Sequence, residues 1–403
     1  MGNLLLKNVL LESGLVEESG QPTKTETEQK DILIEDGVIE QIADDIEAAD
    51  GLAVLDAAGA LCLPSFREMH IHIDKTYFGG PWKACKPITN GIFTRIEEET
   101  QLLPVQLETI TERAEIVVKH LINQGHTHIR THCNIDPSIG LKNLEATVSV
   151  LEKFSDQITY DIVAFPQHGL LRSKVEPLMR QAMQMGATLV GGVDPATVDM
   201  DLDTSLALTF DIASEANAGV DIHLHDKDTL GFYNFEKLAE LTHQHGLEGR
   251  VTISHGIALG DIDGKPLEHM MTILRDAGID VTTTVPIDRP TIPIPRLDAN
   301  GITVSVGHDS LTDHWSPFGT GNTVEKLSVL AERFKMIDEK SLGQVWKYAS
   351  GGLTPLNEAG EQVWPAVGDQ ANIVLVDAVS SAEVVARRKA IVHTISNGNK
   401  ISE

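Results

Sequence analysis

The sequence predicts an α/β protein: a TIM (β/α)8 barrel with a small β-sandwich domain built from both chain ends. Three observations predict it. Short β-branched runs recur about eight times through the middle of the chain, each followed by a helix-length segment and, after a longer first connection, at the roughly 25- to 35-residue spacing of a β-α unit. Both ends switch to short β runs separated by turn residues. No G-x-G-x-x-G turn follows the early strands, which disfavours a doubly wound open sheet.

Taken in order, residues 3–11, 31–35 and 38–42 read as strands, the last two joined by Asp36-Gly37, and residues 1–62 form the first part of the β domain. The barrel is expected over residues 63–350. Its strand-forming runs are 65–72, 126–134, 158–167, 187–194, 219–226, 250–256, 279–286 and 302–310. Residues 351–403 complete the β domain, with runs at 371–376 and 390–395 before Asn397-Gly398. The two ends are expected to pair into one sheet.

Composition narrows the function. With 41% hydrophobic and 23% charged residues among 403, the chain is globular rather than disordered or fibrous. Acidic residues outnumber basic ones 59 to 32, a formal charge of -27, and that field repels phosphate backbones and anionic lipid. Neither nucleic acid nor a membrane is expected as partner. The start has no basic segment followed by a long apolar one, and no run approaches the roughly 18 residues of a span, so the cytoplasm is the expected location. A homo-oligomer is compatible with the sequence, but no segment specifies an interface. Three cysteines, Cys62, Cys85 and Cys133, are too few and too scattered for a disulfide framework or a cysteine zinc site.

Histidine is the unusual residue, with 16 copies. Catalytic groups of such barrels sit at the C-terminal strand ends, and here those ends carry His70-Ile71-His72-Ile73-Asp74-Lys75, His223-Leu224-His225-Asp226, Ser254-His255-Gly256 and Gly307-His308-Asp309-Ser310. Alternation puts His70 and His72 on one face, about 7 Å apart, where two imidazoles grip one metal. Each motif alone is weak; their shared position at one end of the barrel predicts a metal site with an open coordination position. His126, His128 and His132 read as hydrogen-bonded interior residues, Cys133 as a buried thiol, and Glu97-Glu98-Glu99 and residues 44–50 as solvated surface.

These motifs resemble the amidohydrolase superfamily, in which a barrel holds one or two divalent metals through a His-x-His on strand one, histidines on strands five and six and an aspartate on strand eight. The closer resemblance, across essentially the whole chain, is to its cytosine deaminase-like branch, which includes the N-isopropylammelide isopropylaminohydrolases. It is carried by Pro64-Ser65-Phe66 leading into His70, by Ala164-Phe165-Pro166-Gln167, by residues 189–197 and by residues 309–319. The resemblance implies one divalent metal, zinc or iron foremost, on His70, His72, His223 and Asp309, since the strand-four lysine of binuclear members is replaced by Gly191-Gly192-Val193-Asp194. It implies hydrolysis of a C–N bond on a nitrogen heterocycle, an aminopyrimidine or aminotriazine-like ring, by a metal-activated water. Asp309 accepts the water proton, His255 steadies the nucleophile, and Gln167, Lys75, Trp315 and Ser310 meet the ring. Cytosine deaminases carry a proton-shuttling glutamate where this chain has Asp226. An aspartate reaches about 1.5 Å less far, and His225, on the same face as His223, is the better candidate for protonating the leaving amine. Two other readings remain: a cyclic amide hydrolase of the dihydroorotase or hydantoinase type, disfavoured by the missing lysine, and a ligand-binding barrel without turnover.

Overall fold

The computed structural model describes residues 2–402. A long antiparallel ribbon opens the chain: β1 (Leu4–Glu18) and β2 (Gln21–Glu35) pair along their length with three register shifts. Ser19 and Gly20 join them with φ of 54° and 75°, and Asp36 and Gly37, at 48° and 78°, lead into β3 (Val38–Ala43). Positive φ at both central residues marks the hairpin turn that matches strand twist. β2 starts ten residues earlier than its apolar run suggests. Residues 21–30 are polar and largely solvent-facing, so backbone pairing to β1 makes the strand there, with no core face to announce it. β4 (Ala53–Asp56) and β5 (Leu61–Pro64) run parallel to β1.

The barrel follows: β6 (Phe66–Ile71), β7 (His126–Asn134), β8 (Thr159–Phe165), β9 (Leu189–Val193), β10 (Gly219–His223), β11 (Val251–Ser254), β12 (Ile279–Thr283) and β13 (Val304–Val306). Each lies within an expected run and is parallel to its neighbours in sequence order. β9, β10 and β11 are buried at every residue, as parallel strands covered on both faces must be. Two helices fill the long first connection, α1 (Ile92–Gln106) and α2 (Ile110–Asn123). α2 buries Ala114, Val117, Val118 and Leu121, one stripe of helical period against the strands.

β14 (Ile373–Val376), β15 (Ile391–Ser396) and β16 (Asn399–Lys400) return to the first sheet, where β14 pairs antiparallel with β5. Both chain ends thus share one curled sheet of order β16-β15-β14-β5-β1-β2-β3, with β4 also on β1. Its own core gathers Leu6, Val9, Ile32, Trp364 and Ile373.

The barrel is nearly closed by a seam between its last and first strands. The Asp309 N–H donates to the His70 carbonyl at 2.7 Å, and the His72 N–H donates to the Asp309 carbonyl at 2.8 Å. Gly307 lies on this seam, where a Cβ would stand 2.7 Å from His70 Cβ and 2.9 Å from Glu68 Oε1. Gly307→Ala is therefore expected to cost about 1–3 kcal/mol of stability by overpacking, read as a lowered midpoint in urea unfolding; an unchanged midpoint would show the seam to be loose.

Candidate metal centre and active-site mouth

Strand ends place the site. His70 is on β6 and His72 just past it, His223 ends β10, and His255 and Asp309 follow β11 and β13. His255 and Asp309 adopt φ of 71° and 63°, a left-handed conformation costing roughly 1–2 kcal/mol for a residue with a Cβ. Backbone bonds hold both: the seam holds Asp309, and the His255 N–H donates to Thr282 at 2.8 Å.

The side chains converge. One donor atom each from His70, His223, His255 and Asp309 lies within 4.8 Å of the others. His72 Nε2 is 3.3 Å from both His223 Nε2 and Asp309 Oδ1, and His70 Nε2 is 3.5 Å from Asp309 Oδ1. All four expected ligands meet here, and His255 stands among them. His70 Nε2 and His255 Nε2 are buried without a hydrogen-bond partner among the described residues, and the Nε2 atoms of His72 and His223 face one another. Unpaired buried nitrogens in one cluster are costly unless something binds them, so the donor set fits a divalent cation, and imidazole with carboxylate suits zinc, iron or manganese.

Electrostatics agree. Burial pushes the imidazoles of His72, His223 and His255 down, leaving them neutral with lone pairs to donate. Burial opposes the charge of Asp309, but the imidazoles of His70 and His72 outweigh it and hold the carboxyl well below its usual range. Behind His70, Nδ1 donates to Ser254 Oγ at 2.7 Å, whose hydroxyl donates to Asp221 at 2.6 Å; Asp221 is anchored by Arg130 at 3.2 Å. Such outer partners fix ring orientation and tautomer. Glu68 does similar work on the seam, accepting the N–H groups of His70 and His308 at 3.0 Å each.

Exposure rises outward, from 1% for the His70 side chain to 37% for Asp309. His225, 35% exposed, packs its ring 4.5 Å from that of His255 and meets Asp194 Oδ2 through Nδ1 at 2.8 Å. Burial pulls its imidazole down, but the Asp194 carboxylate outweighs this and raises it. Asp226 is tied elsewhere, by the Thr197 hydroxyl and the Asn234 amide. Lys75 Nζ donates to Gln167 Oε1 at 2.6 Å and lies 5.5 Å from the Trp315 ring centroid, so three of the four expected ring contacts adjoin one another. Ser310 instead donates to Asp313 Oδ2 at 2.7 Å.

Two expectations are corrected, those for Glu99 and His132. Glu99 is not solvated surface: it is fully buried and accepts bonds from Lys75, His168, His314 and Trp315. Its phase on α1, in line with buried Ile96 and Leu103, was the available signal; charge-run reasoning hid it. Asp194 and His314, within segments that carry the resemblance, and His168, beside Gln167, were given no role and were missed as well. His126 is bonded to Leu121 and Thr323, and His128 to Thr159, as interior residues. His132 is interior too, but both its nitrogens lack a hydrogen bond among the described residues, and its ring lies 4.1 Å from that of His70.

Fold and site together define a barrel hydrolase built to work with a metal. Residues 86–401 match the amidohydrolase family, and the chain belongs to that family: it is a metal-dependent hydrolase acting on carbon–nitrogen bonds. It is 41% identical over 399 residues to the protein YahJ of Escherichia coli K12, covering 98% of this chain and 87% of that one. It is similar in structure to N-isopropylammelide isopropylaminohydrolase from Burkholderia multivorans, with a TM-score of 0.86, 29% identity and coverage of 99% and 98%. It is also similar to 5-methylcytosine deaminase from Klebsiella pneumoniae liganded with phosphonocytosine, with a TM-score of 0.78, 27% identity and coverage of 99% and 97%. No helix among the described residues is long and apolar enough to cross a membrane.

Proposed function

We propose that this protein hydrolyses an amino or alkylamino group off an oxo-substituted nitrogen heterocycle of the pyrimidine or triazine class. The observation that carries this reading is Lys75 bonded to Gln167 beside Trp315, at the mouth that also opens onto the histidine cluster. With Gln167 Oε1 taken by Lys75, the N–H2 of Gln167 is left to donate to a ligand. Lys75 spends two of its three donors on Gln167 and Glu99, leaving the third. These remaining donors suit ring carbonyls, and the Trp315 face suits a flat ring. The similarity to an isopropylammelide hydrolase and a methylcytosine deaminase supports the same class.

His70, His72, His223 and Asp309 would hold one divalent metal, with His255 within reach. When bound, the metal supplies Lewis-acid activation of water near neutral pH. Asp309 takes the water proton, and His255 donates a hydrogen bond to the oxygen that adds to the ring carbon. His225, its Nδ1 held by Asp194, presents Nε2 to the mouth and protonates the departing nitrogen, which leaves only as a neutral amine.

The test is amine release by metal-replete protein from N-isopropylammelide, cytosine, 5-methylcytosine and pterin, with chelated protein alongside. Chelator-sensitive release of isopropylamine or ammonia is expected from at least one ring. Bound metal with no release from any of them, or hydrolysis of dihydroorotate or hydantoin instead, would overturn the reading.

A further inference from the structure

Glu99 collects donors from four separate segments around the mouth. Its Oε1 accepts from His314 Nε2 at 2.7 Å, Trp315 Nε1 at 2.8 Å and Lys75 Nζ at 3.3 Å; its Oε2 accepts from His168 Nε2 at 2.9 Å and Asn134 Nδ2 at 3.4 Å. These partners follow β6, end β7, follow β8 and follow β13, while Glu99 sits on α1, so a single carboxylate joins the first three barrel connections to the last. A carboxylate offers about four lone-pair sites, and five donors saturate it. His168 Nδ1 in turn meets Asp136 Oδ2 at 2.5 Å, which sets two buried anions against two cations, Lys75 and His168.

We infer that Glu99 is the positioning residue of this mouth: its buried carboxylate fixes Lys75 and Trp315 in the geometry that binds the ring. The inference rests on the proposed function only in taking Lys75 and Trp315 as ring contacts. A buried carboxylate persists when its charge is balanced and its lone pairs are used, and both conditions hold. Burial opposes the charge of Glu99, but Lys75, His168 and His314 keep it well below the usual range. Burial also pulls His168 down, and Asp136 and Glu99 together raise it to about 9. Lys75 faces Glu99 from α1, Asp309 and Asp313 from the segment after β13, and Asp74 from its own; His168 faces Glu99 and Asp136. With the Glu99 charge removed, His168 keeps only one anionic neighbour, and the anchor of Lys75 and Trp315 loses its charge.

Glu99→Gln tests this. Metal content is expected to equal wild type, since no metal-donor candidate touches Glu99. KM for N-isopropylammelide is expected to rise about 10- to 100-fold, the scale of outer-partner loss, with kcat within about threefold because uniform binding is what is lost. In protein labelled with 15N-histidine, the His168 titration, assigned by its disappearance in His168→Gln, should move down by about one unit or more. Glu99→Asp, which restores the charge on a shorter arm, should give an intermediate KM and remains informative if the Gln variant folds poorly. Glu97→Gln, exposed on the same helix, should match wild type. Unchanged KM together with an unchanged His168 midpoint would overturn the inference, as would lost metal or a fall confined to kcat. If wild type leaves N-isopropylammelide untouched, the triazine substrate fails on its own, and the His168 midpoint with Trp315 fluorescence in Glu99→Gln decides: both unchanged rejects the hub.

Discussion

Asp309→Ala protein is expected to lose metal and activity together, with turnover down at least about 10³-fold, equivalent to about 4 kcal/mol of barrier lowering. Asp309 is the only carboxylate among the described residues in the cluster with His70, His223 and His255, and its oxygen stands 3.3 Å from His72 Nε2. It is held there by main-chain bonds on the barrel seam rather than by its own side chain, so truncation leaves the seam in place. The fold should therefore survive, apart from the left-handed strain at φ 63°, which alanine tolerates less well than aspartate or asparagine. Asp309→Asn separates the two effects, because it keeps the backbone tolerance and the shape but not the charge. Metal analysis and thermal melts with added zinc check this: a protein that binds metal in its native state gains stability with metal concentration. Wild type should show that gain, and both variants should show little of it. A variant that keeps stoichiometric metal and wild-type turnover would remove Asp309 from the centre.

The barrel was legible because its strands are buried on both faces, so each advertises itself as an apolar run regardless of partner; all eight fell inside the expected segments. The strand-end histidines were legible for a related reason. In a repeating β-α chain the position of a polar residue within its run fixes the end of the barrel it faces, and that gathered the histidine-bearing strand ends at one end of the barrel; the choice of His70, His72, His223 and Asp309 among them came from the resemblance to the amidohydrolase superfamily. Residues 21–30 were not legible as strand because they bury almost nothing; their pairing depends on β1, which local pattern cannot reveal. Glu99 failed for the opposite reason. Three consecutive acids suggest a solvated face, yet on a helix Glu97, Glu98 and Glu99 point in three directions, and only Glu99 shares the inward stripe of Ile96 and Leu103. Helical phase outranks charge density when the two disagree. Asp194, at the end of its run, was legible as a residue of the site end but not as the partner of His225, and His168 was not legible as the partner of Glu99, because those partners lie 31 and 69 residues away.

His225→Ala should part chemistry from metal binding. Its Nε2 belongs to no group of converging metal donors among the described residues, so metal content is expected to stay at wild type while kcat falls about 10²- to 10⁴-fold, the range for losing a positioned proton donor. The fold has little reason to suffer. Asp194 loses the imidazole but keeps the backbone N–H groups of His225 and Asp226 on Oδ1, and the side chain removed was 35% exposed. That exposure also offers a positive control, since the space opened lies at the mouth and added imidazole should restore part of the rate. Asp226→Asn is the comparison that decides between neighbours. Its carboxylate is spent on Thr197 and Asn234, so its loss should cost less than about tenfold, as for an outer structural contact. The two variants trade places if the shorter acid, and not the histidine, delivers the proton: a nearly inactive Asp226→Asn beside an active His225→Ala would move the role and leave the Asp194–His225 pair as scaffolding.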